Sequence, residues 1–154
     1  MFSTLVEELG SVIGLENLAP DETGALTLTI DGIPFTLQYY DGGEEIYIIH
    51  RLDALPEDSQ TQTAALRFLL ESNCFFRAVG PGVLGIEEHS IFYTVRVPCR
   101  DKSGQRLSGL ELEHLLRSVV DTCSSIRNSY SEIIHREQNQ SASSDVDYLS
   151  MLRV

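Results

Sequence analysis

The sequence has no tryptophan, three cysteines, four histidines and only 11 Lys and Arg among 154 residues. Each scarcity excludes something. Cys74, Cys99 and Cys123 are odd in number and form no C-x-x-C pair, so a disulfide framework does not organise the fold. Against 23 Asp and Glu, the few basic residues leave a net charge of −12 and a pI near 4.6. Such a chain is repelled by nucleic acid and by anionic membrane surfaces. No apolar run approaches the roughly 20 residues that cross a bilayer, so membrane insertion is not expected. Glu7 and Glu8 stand where a secretory leader carries Lys or Arg. The expectation is a protein kept in a reducing cytoplasm, large enough to bury a core without metal or disulfide.

What is present is periodicity. Leu5, Leu9, Val12 and Ile13 recur at helical spacing, and Thr4 with Glu7 fits a capping box, predicting a helix over 4–15. Leu26-Thr27-Leu28-Thr29-Ile30 alternates with period two, as a half-buried strand does. Asp31-Gly32 suits a type I′ turn into a second strand, Ile33 to Tyr40. Beyond Asp41-Gly42-Gly43, Glu45 to Arg51 reads as a third strand. Ser59 with Gln62 offers another capping box, and Ala65, Leu66, Leu69 and Leu70 share one face of a helix over 59–73. Val83 to Ile86 and Ile91 to Val97 form a second hairpin that Pro98 ends. Ser108 and Glu111 make a third capping box, behind which Leu112, Leu116, Val119, Cys123, Ile126, Tyr130 and Ile133 step by four and three along a helix over 108–136. The expected fold is α+β in the order α-β-β-β-α-β-β-α, an antiparallel twisted sheet with three helices. Residues 1–136 form the domain. Residues 137–154 are expected to be a flexible polar linker with a short amphipathic segment carrying Val146, Leu149 and Leu152 at its end.

Catalytic chemistry finds little support in these residues. His50, His89, His114 and His135 are dispersed, and Glu111-x-Glu113-His114 reads as a solvated helix face rather than a metal site. Gly80-x-Gly82-x-x-Gly85 precedes a strand, where a phosphate-binding loop comes after one and opens a helix. No catalytic, cofactor or metal residue is therefore assigned. Surplus apolar surface is the informative feature. On the third strand Ile46 and Ile48 face the core while Tyr47 and Ile49 face away, joined by Tyr40 across the hairpin. Such a face is covered by the chain's own helix, by a second copy or by a partner.

The markers Leu9-Gly10 with Ile13-Gly14-Leu15, Asp21-x-x-Gly24-x-Leu26-x-Leu28-x-Ile30-Asp31, Leu69-Leu70-x-x-Asn73, Gly82-x-Leu84-Gly85-Ile86-Glu87-Glu88 and Val95-Arg96-Val97-Pro98 keep one order along the chain. In them the chain resembles the class I type III secretion chaperones, the family of the Tir chaperone. The resemblance implies a homodimer in the bacterial cytoplasm, without cofactor, associated with virulence. It holds the chaperone-binding segment of a secreted effector extended, soluble and ready for export. The secretion-apparatus ATPase is a further partner. Cargo falls by this analogy to the first helix and the meander, with Leu5, Tyr40, Tyr47 and Ile49 as partner-binding residues and Phe92 on the second hairpin. The dimer falls to the second helix and the hairpin after it, with Leu66, Leu69, Leu70, Phe75 and Phe76. The alternatives are a regulatory protein-interaction domain of similar fold and a small cysteine- or metal-dependent hydrolase.

Overall fold

Alternation in the strands and four-three spacing in the helices sort the apolar residues onto one sheet face and three helix faces, and these surfaces meet as a single core. The computed structural model describes residues 1–76 and 78–151, with side chains described as far as 139. Along the chain run α1 (Phe2–Ile13), β1 (Ala25–Ile30), β2 (Ile33–Tyr40), β3 (Glu45–Ala54), α2 (Ser59–Asn73), β4 (Gly82–Glu87), β5 (Ser90–Pro98) and α3 (Gly109–Met151), with short 3-10 turns at Asp41–Gly43 and Cys74–Phe76. The α+β fold and the order of its elements are those expected from the sequence.

All five strands pair antiparallel in one open sheet of order β1-β2-β3-β5-β4. The second hairpin therefore joins the meander through β5, which leaves β1 and β4 as the two edges. Asp31 and Gly32 both have positive φ, 50° and 78°, as a type I′ hairpin requires. Leu26, Leu28, Phe35, Leu37, Ile46, Ile48, Tyr93 and Val95 are buried on one face. The α3 stripe of Leu112, Leu116, Val119, Cys123, Ile126 and Tyr130 is buried with them.

Helix ends or caps differ from the sequence reading in three places, although α2 keeps the expected span of 59–73. α1 starts at Phe2, and no side chain caps it. Phe2 is buried and stacks on Tyr39 with ring centroids 5.4 Å apart, so this packing draws residues 2 and 3 into the helix and the Thr4–Glu7 box does not form. α2 is capped by Asp58 rather than Ser59: the Thr61 N–H donates to Asp58 Oδ2 at 2.7 Å. Gln62 instead donates through its side chain to the Pro56 carbonyl. The Ser108–Glu111 box forms as expected, the Ser108 N–H donating to the carboxylate at 2.8 Å and the Glu111 N–H to Ser108 Oγ at 3.3 Å. α3 then runs to Met151, through the stretch expected to be linker. The side chains of Val146 and Leu149, and Leu152 altogether, lie outside the described residues.

α1 crosses the start of α3 closely. Glu8 pairs with Arg106 and accepts from the Gly109 N–H at 3.1 Å. A Cβ on Gly109 would come within 2.6 Å of the Glu8 backbone carbonyl carbon, so only glycine allows this approach.

Candidate partner-binding site

No cluster suited to catalysis gathers among the described residues. Burial pushes the Cys123 thiol up to about 12 and raises that of Cys99, which makes both poor nucleophiles near neutral pH. Among the described residues no group of three His, Cys, Asp or Glu is placed to hold a metal ion. His50 is buried, with Nδ1 2.8 Å from the Pro34 carbonyl oxygen and Nε2 3.0 Å from an Arg127 guanidinium nitrogen. Guanidinium groups only donate, so Nε2 accepts and Nδ1 carries the proton. Its role is to tie β3 to β2 and α3.

The surface offers three features suited to protein binding. The first is the edge of β1. The Tyr39 N–H donates to the Gly24 carbonyl, which sets the parity of the ladder: residues 24, 26, 28 and 30 bond to β2, and 25, 27 and 29 turn their backbone groups outward. Ala25 is already occupied. Its N–H donates to Asp21 Oδ1 at 3.0 Å and its carbonyl accepts from the Asp21 N–H at 2.7 Å. The outward groups of Thr27 and Thr29 have no partner among the described residues. Beside them, on the helix side, a groove of about 330 Å³ opens between α1 and α3, with Leu9, Leu28 and Leu116 in its floor and Ile13, Leu15 and Ile30 on its walls. Ile13 and Leu15 are exposed.

The second feature is the helix-free face of the sheet. Its side chains are Thr27, Thr36, Ile49, Thr94 and Val83 in one row across the five strands, with Tyr47 and Phe92 in the rows either side. Tyr47, Ile49 and Phe92 are half-buried by their neighbours, and Tyr40 is 57% exposed at the end of β2. Arg96 and Glu45 pair across this face, and the Tyr47 hydroxyl donates to Glu45 at 3.3 Å. The arginine lowers the carboxyl of Glu45 below its ordinary value. Leu5 does not belong here. It is 2% exposed, turned from α1 into the core, because the apolar stripe of an amphipathic helix is the side that packs.

The third feature is an apolar patch on α2 and just beyond it. Leu70 is 74% exposed, Phe75 80% and Phe76 59%, with Leu66 beside them and Ile86 exposed on the helix side of the adjoining strand β4. Phe75 and Phe76 both have positive φ, 56° and 54°, a conformation that side chains disfavour and that turns both rings outward from the end of α2. Leu69, expected in this patch, faces the core instead. Ile13, Leu15, Thr27, Thr29, Val83 and Ile86 were not singled out as binding residues from sequence. Their value depends on which strand lies at an edge, and no local pattern encodes that.

The model of the Tir chaperone protein (CesT) family matches residues 4–127. No curated protein matches significantly. Solved structures similar in fold include the HopA1–SchA chaperone–effector complex, with TM-score 0.63, 19% identity, 82% of this chain covered and 93% of that one. The Yersinia pestis type III secretion chaperone SycH, in complex with a fragment of YscM2, aligns with TM-score 0.60 and 24% identity, covering 82% and 99%. The ExsC–ExsE complex aligns with TM-score 0.64 and 19% identity, covering 82% and 90%.

Proposed function

This chain belongs to the Tir chaperone protein (CesT) family, and from that premise we propose that it is a cytoplasmic chaperone of type III secretion, holding a segment of a secreted effector extended until export. The observation that carries this reading is the β1 edge. Thr27 and Thr29 present two outward N–H and two outward C=O groups to an incoming strand, and the groove of Ile13, Leu15 and Leu28 lies under the side chains that such a strand turns toward the helices. Backbone pairing supplies affinity and the groove supplies selection. Tyr40, Tyr47, Ile49 and Phe92 extend the contact over the helix-free face. The surplus of acidic residues keeps the loaded protein soluble. The protein works as a homodimer through Leu66, Leu70, Phe75 and Phe76, since exposed aromatic and branched side chains of this extent are normally covered.

Proline tests the edge. At positions 27 and 29 the backbone N–H points to solvent, so Thr27→Pro and Thr29→Pro remove an outward donor while sparing the β1–β2 ladder. Each variant should keep its circular dichroism spectrum and lose about tenfold or more in effector retention, measured by co-purification. Full retention by a folded variant places cargo elsewhere. The same assay on Tyr47→Glu and Ile49→Glu reports on the sheet face.

A further inference from the structure

An open sheet has two edges, and each is a template for any extended chain. Here the two are treated differently. On β4 the backbone groups of Gly82, Leu84 and Ile86 turn outward, because Leu84 bonds to a residue outside the sheet on that side. That residue is Asn73, the last of α2. Its Nδ2 donates to the Leu84 carbonyl at 2.9 Å, and the Leu84 N–H donates to its Oδ1 at 2.8 Å. These are the two bonds that a residue of a neighbouring antiparallel strand would exchange with Leu84. A carboxamide is the smallest side-chain group with a donor and an acceptor in one plane, so it can stand in for a peptide unit where Asp, Ser or Leu cannot. The Gly82 N–H is taken by the Val79 carbonyl at 3.1 Å. Among the described residues of this edge only Ile86 keeps both outward groups open, and one residue makes no ladder.

We propose that Asn73 is an edge plug: it occupies the centre of the β4 edge, confines intermolecular strand pairing to Thr27 and Thr29 of β1, and so admits one cargo strand per protomer. Ending α2 does not require this bond pair, since the Cys74 N–H already closes the helix on the Glu71 carbonyl. The plug also prevents copies of the chain from joining edge to edge through β4, leaving the side chains of α2 to make the self-contact. The assignment of cargo to β1 rests on the function proposed above, whereas the plug itself is testable without cargo.

Two measurements on the full chain decide it. In the wild-type protein, hydrogen exchange measured by NMR should show the Leu84 amide exchanging at least about tenfold slower than those of Ile86, Thr27 and Thr29. Equal rates for Leu84 and Ile86 would overturn the plug without any substitution. Asn73→Ala should give species heavier than wild type by light scattering, growing with concentration, and adding Gly85→Lys, where a side chain meets nothing within 4 Å, should charge the opened edge and restore the wild-type mass. A folded Asn73→Ala protein of unchanged mass would also overturn the proposal. Loss of effector by Thr27→Pro is a separate result, so failure of the cargo reading and failure of the plug are told apart.

Discussion

His50 shows how one residue sets a response to pH. Burial pushes its pKa below the ordinary value, the Pro34 carbonyl opposes this and the Arg127 guanidinium adds to it. The folded state therefore prefers the neutral ring. Its contribution is fully present above the unfolded value of about 6.5 and declines as pH falls below that, because the unfolded chain then binds a proton that the folded chain refuses. The carboxylates lowered by hydrogen bonding, among them Glu8, Asp58 and Glu111, act in the same direction but in a lower window, below about pH 4.5. Urea midpoints should fall between pH 7.5 and 5.5 in the wild type and change less in His50→Gln. An equal slope in both would show that another group titrates. From sequence His50 was visible only as a histidine in a strand. Its partners come from residues 34 and 127, which only the folded sheet and α3 bring together.

Among the elements, α2 presents two faces through adjacent residues. Leu69→Ala should cost roughly 2–5 kcal/mol in denaturant unfolding, as for a buried leucine. Leu70→Glu should leave the circular dichroism spectrum unchanged and bring the mass by light scattering to the 17.2 kDa of one chain. A wild-type protein that already scatters as a monomer, or a Leu70→Glu protein that stays dimeric, would remove α2 from self-contact. Much of this architecture was legible. The type I′ turn at Asp31-Gly32, the Ser108–Glu111 box and the stripe from Leu112 to Tyr130 are local patterns, and each has its expected counterpart in the fold. Helical period alone did not separate Leu69 from Leu70, because Leu69 lies on the buried line of Thr61, Ala65 and Ser72 while Leu66 and Leu70 make a second apolar line beside it. The Thr4 box failed because a buried Phe2 outweighed a surface cap. The pairing of β3 with β5, across α2 and some forty residues, has no local signal, and the plug at Asn73 and the opening at Thr27 both depend on that pairing.

At the scale of the molecule, the family match ends at residue 127, and beyond it the described core gains only Tyr130, against Phe68, and the partly buried Ile134. The Gln, Asn and Ser run after Arg136 brings little apolar area to ordering. Ending the chain after Asn139 should therefore move the melting temperature by less than about 2 °C. A larger fall would assign Val146, Leu149 or Leu152 a place in the core. The strand order carries a consequence of length. Four gaps of about 4.8 Å separate β1 from β4, roughly 19 Å across each protomer. If two copies pair through α2 with their sheets end to end, the two β1 edges stand at the far ends, about 40 Å apart. An extended chain advances at most about 3.6 Å per residue, so an effector that occupies both edges needs a spacer of roughly a dozen residues or more between its pairing stretches. On the cargo site and dimer proposed above, the sheet would act as a ruler, and an effector with a shorter spacer would fill one edge and leave the other for a second molecule.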